Sequence, residues 1–399
     1  MSAIGNAEKM SSEEVLRQIA ALDLTEYALR NEKLSDCFAA AAAEAQEKAK
    51  EPGVVAALDN ADTDAVLVEV LRADPEKVMT GMKIAAHAIG ASRMILQIPE
   101  GDTQTADVIK DAAAEAGIEV VMGIVDVRAS QGSAVLHIVT AANLADAFAG
   151  SYEDSVFISV NGAPLQKVNG NTKVSDVADL SGAKAVLAGY RYYLPEAIAD
   201  MTVAEAHIDN GVLRVFREKD CILSETEKKL TASRKQSCGK CVFCREGLLQ
   251  LQAMHQDIKN GKGNEEYLAI TEEIGQAMAF STPCTMGQTA AEIALSAVAL
   301  FKSEYAAHYK KKECPAGVCF ATETVFIDPK RCTGCGECMD VCEQDCIEGK
   351  ARFIHMIDDF DCDRCGKCIT VCPEEAIIKT SGKLPKLPDK LTKVGRFRR

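Results

Sequence analysis

Two runs of four cysteines decide the fold of the C-terminal part of this chain. The first is Cys332-Thr-Gly-Cys335-Gly-Glu-Cys338-Met-Asp-Val-Cys342, and the second is Cys362-Asp-Arg-Cys365-Gly-Lys-Cys368-Ile-Thr-Val-Cys372-Pro373. Thiolates are soft, charge-donating ligands that suit a cubane of iron and sulfide, and in this double spacing the fourth cysteine of each run ligates the other cluster. The spacing predicts a ferredoxin-like domain with two [4Fe–4S] clusters; a pair of zinc knuckles is the alternative.

This crossed ligation divides the eight cysteines into two predicted sets. One [4Fe–4S] cluster takes Cys332, Cys335, Cys338 and Cys372, and the other takes Cys342, Cys362, Cys365 and Cys368. The segment beyond Cys314 is short, rich in cysteine and poor in apolar residues. Burial alone cannot fold such a segment, so we expect metal to stabilise it.

A third set of four cysteines lies upstream. Ser237-Cys238-Gly-Lys-Cys241-Val-Phe-Cys244-Arg-Glu-Gly247 supplies three of them, and Ser281-Thr-Pro-Cys284 supplies the fourth. Three cysteines on one tight loop with a distant fourth predict a further [4Fe–4S] cluster, while zinc is the alternative by spacing alone.

The residues around these cysteines resemble a known family. The Ser237–Gly247 loop and the later Ser-x-x-Cys are similar to the cluster loop of the NADH-oxidising flavoprotein (F) subunit of respiratory complex I. They are more similar still to the beta subunit of electron-bifurcating [FeFe] hydrogenases, which carries the same loop followed by a double-cluster ferredoxin tail. The linker from Tyr305 to Cys319 also fits that hydrogenase-type protein. The likeness spans about residues 55–380 and is specific from Ser237 onward.

The resemblance implies FMN and NAD sites, but the phosphate-binding loops of the family have no counterpart here. Residues 1–60 contain no Gly-Arg-Gly-Gly-type segment, and residues 124–133 read Ile-Val-Asp-Val-Arg-Ala-Ser-Gln-Gly-Ser where the second glycine-rich segment should lie. Phosphates need close approach of backbone N–H groups, which side chains block. We therefore expect FMN and NAD to be absent, with Asn60 and Asp62 capping a strand–helix turn instead of holding a flavin.

Five cysteines remain outside these sets, and three of them suggest a zinc site. Cys314 and Cys319 flank a Pro-Ala-Gly turn, Cys346 follows the first ferredoxin run, and His355 lies on the returning segment. Three thiolates and one imidazole make a closed tetrahedral zinc site, with His308 as the alternative fourth ligand. Reduced, buried cysteines without metal are the other interpretation. Cys37 and Cys221 are expected to be core thiols.

The pattern of the sequence as a whole predicts a multidomain fold with α/β and α+β parts. In the 54–150 domain, strands are expected at residues 66–68, 94–98 and 119–122. The basic tail is expected either to lie along a partner subunit as an extended arm or to be disordered. The predicted domains are an N-terminal helical segment (1–53), a degenerate flavin-type α/β domain (54–150), a β-grasp domain (151–210), a helical [4Fe–4S] domain (211–305), a linker with the ferredoxin-like domain (306–382) and the basic tail (383–399).

Composition limits the partners. The net charge of −14 argues against nucleic acid or an anionic membrane surface. The sequence has no apolar run of the roughly 18 residues that a membrane span needs and no signal peptide, so we expect a cytoplasmic protein. In a reducing cytosol, cysteines at regular close spacing are metal ligands more often than disulfides.

These observations predict an iron–sulfur electron-transfer subunit of a multi-subunit oxidoreductase. Three [4Fe–4S] clusters would carry electrons between a flavin, NAD(P)H or ferredoxin module and a catalytic subunit, and the chain would have no catalytic residues of its own. The alternative is an NAD(P)H-oxidising, FMN-containing subunit of a bifurcating hydrogenase-type complex. A third interpretation is a metal-stabilised scaffold without redox turnover.

Overall fold

A computed structural model describes residues 3–27, 32–319, 324–359, 361–362, 364–380 and 384–397. The chain divides into two units, each described by itself. Unit 1 comprises Met1–Arg217, Lys228–Gln252 and Thr271–Leu300, and unit 2 comprises Glu218–Glu227, Ala253–Ile270 and Phe301–Arg399.

The first sheet of unit 1 is four-stranded and entirely parallel, in the order β3-β2-β1-β4. Its central strand β1 is buried along its whole length, as expected for a parallel strand covered on both faces. The predicted strands 94–98 and 119–122 lie in β2 and β3. The strands are β1 (Gly53–Ala57), β2 (Arg93–Ile98), β3 (Glu119–Met122) and β4 (Ser133–His137).

Seven helices accompany this sheet in the described residues: α1 (Ala3–Ala7), α2 (Ser12–Ala21), α3 (Leu34–Glu47), α4 (Val68–Ala73), α5 (Pro75–Ile89), α6 (Thr103–Ala116) and α7 (Ile138–Ala149). Ser11 and Glu14 form a capping box that starts α2. Asp74 caps α5 and Pro75 occupies its first turn. The predicted strand at residues 66–68 was wrong. Leu67 and Val68 are buried at the start of α4, so this apolar run packs as a helix face.

A second, mixed sheet completes the N-terminal part of unit 1, in the order β6-β5-β9-β7-β8. Strands β5 and β9 are parallel at its centre, and the other pairs are antiparallel. The β-grasp assignment stays a prediction; the sheet reaches Phe216, beyond the expected boundary at residue 210. Its elements are β5 (Ser155–Val160), β6 (Gln166–Asn169), α8 (Val174–Val177), β7 (Ala185–Ala188), β8 (Arg191–Tyr193), α9 (Pro195–Ile198) and β9 (Val212–Phe216).

Four long helices follow, and each is divided between the two units: α10 (Ile222–Gln236), α11 (Val242–Lys259), α12 (Glu266–Ser281) and α13 (Thr285–Lys311). The helical path of α13 is interrupted at Phe301, which has φ −121° and ψ 30°. This interruption coincides with the boundary between the units. No helix among the described residues is long and apolar enough to cross a membrane.

The ferredoxin segment of unit 2 consists of short elements around cysteine side chains. Strand β10 pairs antiparallel with β13, and β11 pairs antiparallel with β12. Its buried core combines isoleucine, valine and alanine side chains with cysteines, including members of both runs. The elements are β10 (Thr324–Ile327), α14 (Glu337–Asp340), β11 (Ile347–Glu348), β12 (Met356–Ile357), α15 (Lys367–Val371) and β13 (Ile377–Thr380).

The tail packs on the ferredoxin segment of its own chain. The N–H of Ile354 donates to the carbonyl oxygen of Thr392 at 2.9 Å, and the N–H of Val394 donates to that of Arg352 at 3.1 Å. Phe397 packs against the ferredoxin core. Residues 384–397 thus contact the ferredoxin segment of their own chain, and the extended arm along a partner subunit stays a prediction.

Candidate metal centres

The two predicted ferredoxin sets surround two separate buried cavities. Each cavity is lined by the four cysteines of one predicted set and by isoleucine, with little polar surface, and the second cavity is also lined by Cys346. The structure thus brings together the crossed sets expected from the spacing. One cavity, called cavity A, is lined by Cys332, Cys335, Cys338 and Cys372; the other, cavity B, by Cys342, Cys362, Cys365 and Cys368.

The two cavities are built by the same backbone pattern, repeated 30 residues apart. The N–H of Cys332 donates to the carbonyl oxygen of Asp328 at 3.0 Å, and the N–H of Cys362 donates to that of Asp358 at the same distance. The N–H of Asp328 donates to Ala376, and the N–H of Asp358 donates to Cys346, both at 2.8 Å. The local fold therefore repeats around each cysteine run.

The chemistry of both cavities fits iron–sulfur clusters. Burial raises the pKa of Cys338 to about 12 and that of Cys368 to about 11, and the neighbouring cysteines raise both pKa values further. Several thiolates cannot share such an apolar space unless a cationic centre compensates their charge. An iron–sulfide cubane held by four thiolates provides that compensation.

The third predicted set lies in unit 1. Cys238 and Cys241 lie in the loop between α10 and α11, Cys244 lies in the first turn of α11, and Cys284 lies just before α13. Burial raises the pKa of Cys244, and the charges of the other three cysteines act in the same direction, which shows that the four side chains are neighbours. The hydroxyl of Ser237 lies 3.5 Å from the Cys244 sulfur.

Close helix packing fixes this cysteine set. A Cβ added at Gly247 on α11 would lie 2.3 Å from the sulfur of Met278 on α12. A Cβ at Gly287 on α13 would lie 2.5 Å from the Thr282 side chain. Gly247 is therefore needed for the close approach of α11 and α12, and Gly287 leaves the space that the Thr282 side chain occupies at the start of α13.

A cavity of about 610 Å³ lies at the carboxyl ends of β1, β2 and β3. Ligands of parallel α/β sheets bind in this position. Asp59, Asp62 and Glu100 line the cavity together with Lys235. This acidic lining is unfavourable for the phosphate of FMN or NAD, so the residues present do not fit those cofactors well.

Asn60 and Asp62 have structural partners at this edge. The Asn60 side chain exchanges two hydrogen bonds of 2.8 Å with the backbone of Val125. Asp62 Oδ1 accepts from the N–H groups of Asp64 and Ala65, at 3.0 and 2.8 Å. Asp62 therefore stabilises the turn that leads to α4, and Asn60 links that turn to the segment after β3.

A further metal-binding group lies in unit 2. The ligand atoms of Cys221, His308, Cys314 and Cys319 lie within 4.8 Å of one another, and all four residues are buried. The sulfur of Cys221 lies 3.5 Å from His308 Nε2 and 3.4 Å from the Cys319 sulfur. Three sulfurs and one imidazole form a donor set that fits tetrahedral zinc.

The ring of His308 is oriented by its own helix. His308 Nδ1 lies 2.8 Å from the carbonyl oxygen of Glu304 one turn earlier on α13, which leaves Nε2 facing the sulfurs. The Glu304 carboxylate accepts the N–H of Ile222, next to Cys221, at 2.7 Å. Glu304 thus positions two of the four ligand residues.

The predicted zinc set was only half assembled. Cys314 and Cys319 come together, but Cys346 lies 3.5 Å from the sulfur of Cys342 at cavity B, and His355 lies at cavity A. His308, the alternative fourth ligand, takes the imidazole position. Cys221 takes the remaining position, although its place in the sequence, far from Cys314 and Cys319, gave no signal of a ligand.

Two family models match the regions that carry these cysteine sets. A model of the NADH-ubiquinone oxidoreductase-F iron-sulfur binding region matches residues 226–308, which carry the third cysteine set. A 4Fe-4S dicluster domain matches residues 331–376. Over these two regions the chain is similar to the F subunits of NADH-quinone oxidoreductase. The resemblance predicted from the cysteine loops is confirmed, and so is the presence of 4Fe-4S binding regions.

Two curated relatives of this type illustrate the similarity. The NADP-reducing hydrogenase subunit HndC of Solidesulfovibrio fructosivorans is 36% identical over 155 residues, which are 39% of this chain and 32% of that protein. The F subunit of NADH-quinone oxidoreductase of Mycobacterium tuberculosis is 27% identical over 154 residues, 34% of this chain and 35% of that protein. The chain spans about a third of the length of these relatives.

The fold extends the likeness beyond the cysteine regions. The crystal structure of a NAD+-reducing [NiFe]-hydrogenase in the air-oxidized state has a TM-score of 0.66 to this chain at 17% identity. The match covers 77% of this chain and 65% of that one. At this identity the likeness concerns the fold alone.

Proposed function

We propose that the chain is an iron–sulfur electron-transfer subunit of a multi-subunit oxidoreductase and carries three [4Fe–4S] clusters. The observation that carries this proposal is the grouping of cysteine side chains into three sets of four. Each set offers the four thiolates that one cubane requires. The subunit would carry electrons between a flavin, NAD(P)H or ferredoxin module and a catalytic subunit.

The residues of the chain hold and tune the clusters and make no covalent change to a substrate. A bound cluster supplies reversible one-electron transfer. Backbone N–H groups face the sulfurs of both cavities: Ala376 donates to Cys372 at 3.3 Å, and Arg364 donates to Cys362 at 3.4 Å. Such donors and the apolar walls set the potential at which each cluster accepts an electron.

Exposed apolar side chains near the third cysteine set support docking of a partner subunit. Val242 and Phe243 lie between two of the cysteines and are more than half exposed. Phe280, one turn before Cys284, is 93% exposed. Large apolar side chains so open to water beside a redox centre are typical of an interface. We infer that a redox subunit covers this surface.

We further propose that Cys221, His308, Cys314 and Cys319 hold one Zn²⁺. Their sulfur and nitrogen atoms converge without a water-facing position, which is typical of structural zinc sites. The role of this zinc is to join the start of α10, the end of α13 and the 314–319 loop within unit 2.

The cavity at the parallel sheet favours a second candidate function, an NAD(P)H-oxidising FMN subunit. Its volume of about 610 Å³ is in the range of small-molecule sites. The acidic lining argues against it, because bound phosphate would face carboxylates. Flavin content therefore distinguishes the two candidates.

Metal and flavin analysis of the purified full-length chain tests the proposal. We expect about twelve iron atoms, about one zinc and no flavin per chain. Cys284→Ser should lose about four irons and leave zinc unchanged, whereas Cys37→Ser, a matched control at a half-buried thiol, should change neither. About eight irons in the wild-type chain would contradict the three-cluster assignment. A stoichiometric flavin that NADH bleaches would favour the second candidate.

A further inference from the structure

Among the positions at which cavities A and B differ, one places a polar ring in the wall of cavity A. When the sequence is aligned with itself at an offset of 30 residues, the cysteines of one run match those of the other. The same alignment pairs Ile327 of cavity A with Ile357 of cavity B. The same shift pairs His355, which lines cavity A, with Val325, which lines cavity B. Because the fold repeats, cavity B can be compared with cavity A position by position. At this position cavity B has the apolar side chain of Val325, whereas cavity A has the imidazole of His355.

The imidazole of His355 faces a predicted cluster ligand. His355 is 2% exposed, and its Nδ1 lies 3.9 Å from the sulfur of Cys332. Its Nε2 is buried and has no hydrogen-bond partner among the described residues. A proton on Nε2 would leave a buried donor unsatisfied and would aim the Nδ1 lone pair at a thiolate. A proton on Nδ1 instead donates to the sulfur, so the surroundings select that tautomer.

Packing holds the ring in this orientation. A Cβ added at Gly349 would lie 2.0 Å from His355 Cδ2, so the ring occupies the space left by the missing side chain. Ile354, the residue before His355, is fully buried, and its N–H is bonded to Thr392. The ring therefore has a fixed position on the wall of the cavity.

We propose that His355 is a positioning residue that donates its Nδ1–H to the sulfur of Cys332 and raises the reduction potential of the cluster in cavity A. Reduction adds an electron to the cluster and increases the negative charge on its thiolate sulfurs. A fixed N–H donor stabilises this more negative state more than the oxidised state, which raises the potential. This inference rests on the proposed function, since it requires a cluster in cavity A.

The test is an EPR-monitored redox titration of the full-length chain. His355→Leu removes the donor and should shift one midpoint potential to a more negative value while iron content stays unchanged. His355→Asn keeps an N–H donor near the Nδ1 position and should restore most of the wild-type potential. Val325→Leu is the matched packing change at cavity B. It should leave the midpoint potential of the cluster in cavity A unchanged.

Two results would overturn the inference. One is a fully loaded His355→Leu chain whose potentials equal those of the wild type. The other is an equal shift of the same signal by Val325→Leu. If His355→Leu fails to bind iron, pulsed EPR on the reduced wild-type chain labelled with ¹⁵N-histidine decides: a nitrogen coupling to one cluster is expected, and its absence refutes the hydrogen bond. A wild-type chain without iron at cavity A would instead contradict the proposed function.

Discussion

His308 shows how one side chain is prepared for metal. Burial by itself would lower its pKa, but hydrogen bonds with the sulfurs of Cys314 and Cys319 raise the pKa of His308 to about 10. The hydrogen bond from Cys221 holds the pKa of Cys314 well below its usual range. Protons held by this group would have to leave when zinc binds, so the affinity of the proposed site depends on pH.

Zinc content distinguishes the assembled ligand set from the one predicted by sequence. Cys221→Ser removes one of the four converging ligands and should lower zinc to well under one atom per chain while iron is unchanged. Cys346→Ser, at cavity B, is the matched control and should leave zinc unchanged. Zinc content by elemental analysis is the measurement. Loss of zinc in the Cys346 variant alone would instead support the ligand set predicted from the sequence.

Asp62 gives the folded state a specific pH dependence. Burial raises the pKa of Asp62 to about 7, and nearby Asp64 and Asp59 contribute, whereas the unfolded chain has the ordinary value of 3.8. The folded state therefore holds a proton that the unfolded state releases. The stabilisation is complete below pH 3.8 and is lost as the pH rises toward 7.

Substitution of Asp62 checks this dependence. Asp62→Asn keeps the acceptor for Asp64 and Ala65 but cannot ionise. We expect the variant to be more stable than the wild type at pH 8, by up to about 4 kcal/mol, and the difference to shrink as the pH falls below 7. Denaturant unfolding at several pH values measures it. A difference that does not depend on pH would exclude ionisation of Asp62 as the cause.

At the scale of elements, the packing of α5 on α7 depends on one missing side chain. A Cβ added at Gly81 would lie 1.7 Å from the carbonyl oxygen of Ala141. Gly81→Ala should therefore destabilise unit 1 by about 2–3 kcal/mol, although alanine is the better helix former. Thr80→Ala, the neighbouring control on α5, should change stability by less than about 1 kcal/mol. Thermal unfolding measures both, and equal effects would contradict the close helix approach.

The sequence predicted those elements whose causes are local. Ligand spacing of two residues brings three sulfurs to one loop, so Cys332, Cys335 and Cys338 could be grouped without knowing the fold. Cys221 could not be assigned, because the path of α10 and α13 brings it to His308 from 87 residues away. The apolar run at Leu67 and Val68 fits a strand or a helix equally, and only its packing in α4 decides. The contacts of the tail could not be predicted, because they depend on the folded surface against which Phe397 packs.

At the scale of the whole molecule, the two units should respond differently to metal removal. All four proposed zinc ligands belong to unit 2. A zinc chelator should therefore lower hydrogen-exchange protection around Cys221, at the end of α13 and in the 314–319 loop. The parallel sheet of unit 1 should keep its protection, and added zinc should restore the loss. Equal loss of protection in β1 would show that the zinc group stabilises the entire chain.

The repeat of 30 residues also has a genetic consequence. Each cysteine run completes the cavity of the other through its fourth cysteine, so the two segments can differ only at positions outside the proposed ligand sets. Val325 and His355 are one such pair, and Ala376 and Cys346 are another. Substitutions at these pairs give the two cavities unlike walls without any change in their cysteines, so the two proposed clusters would have unlike reduction potentials.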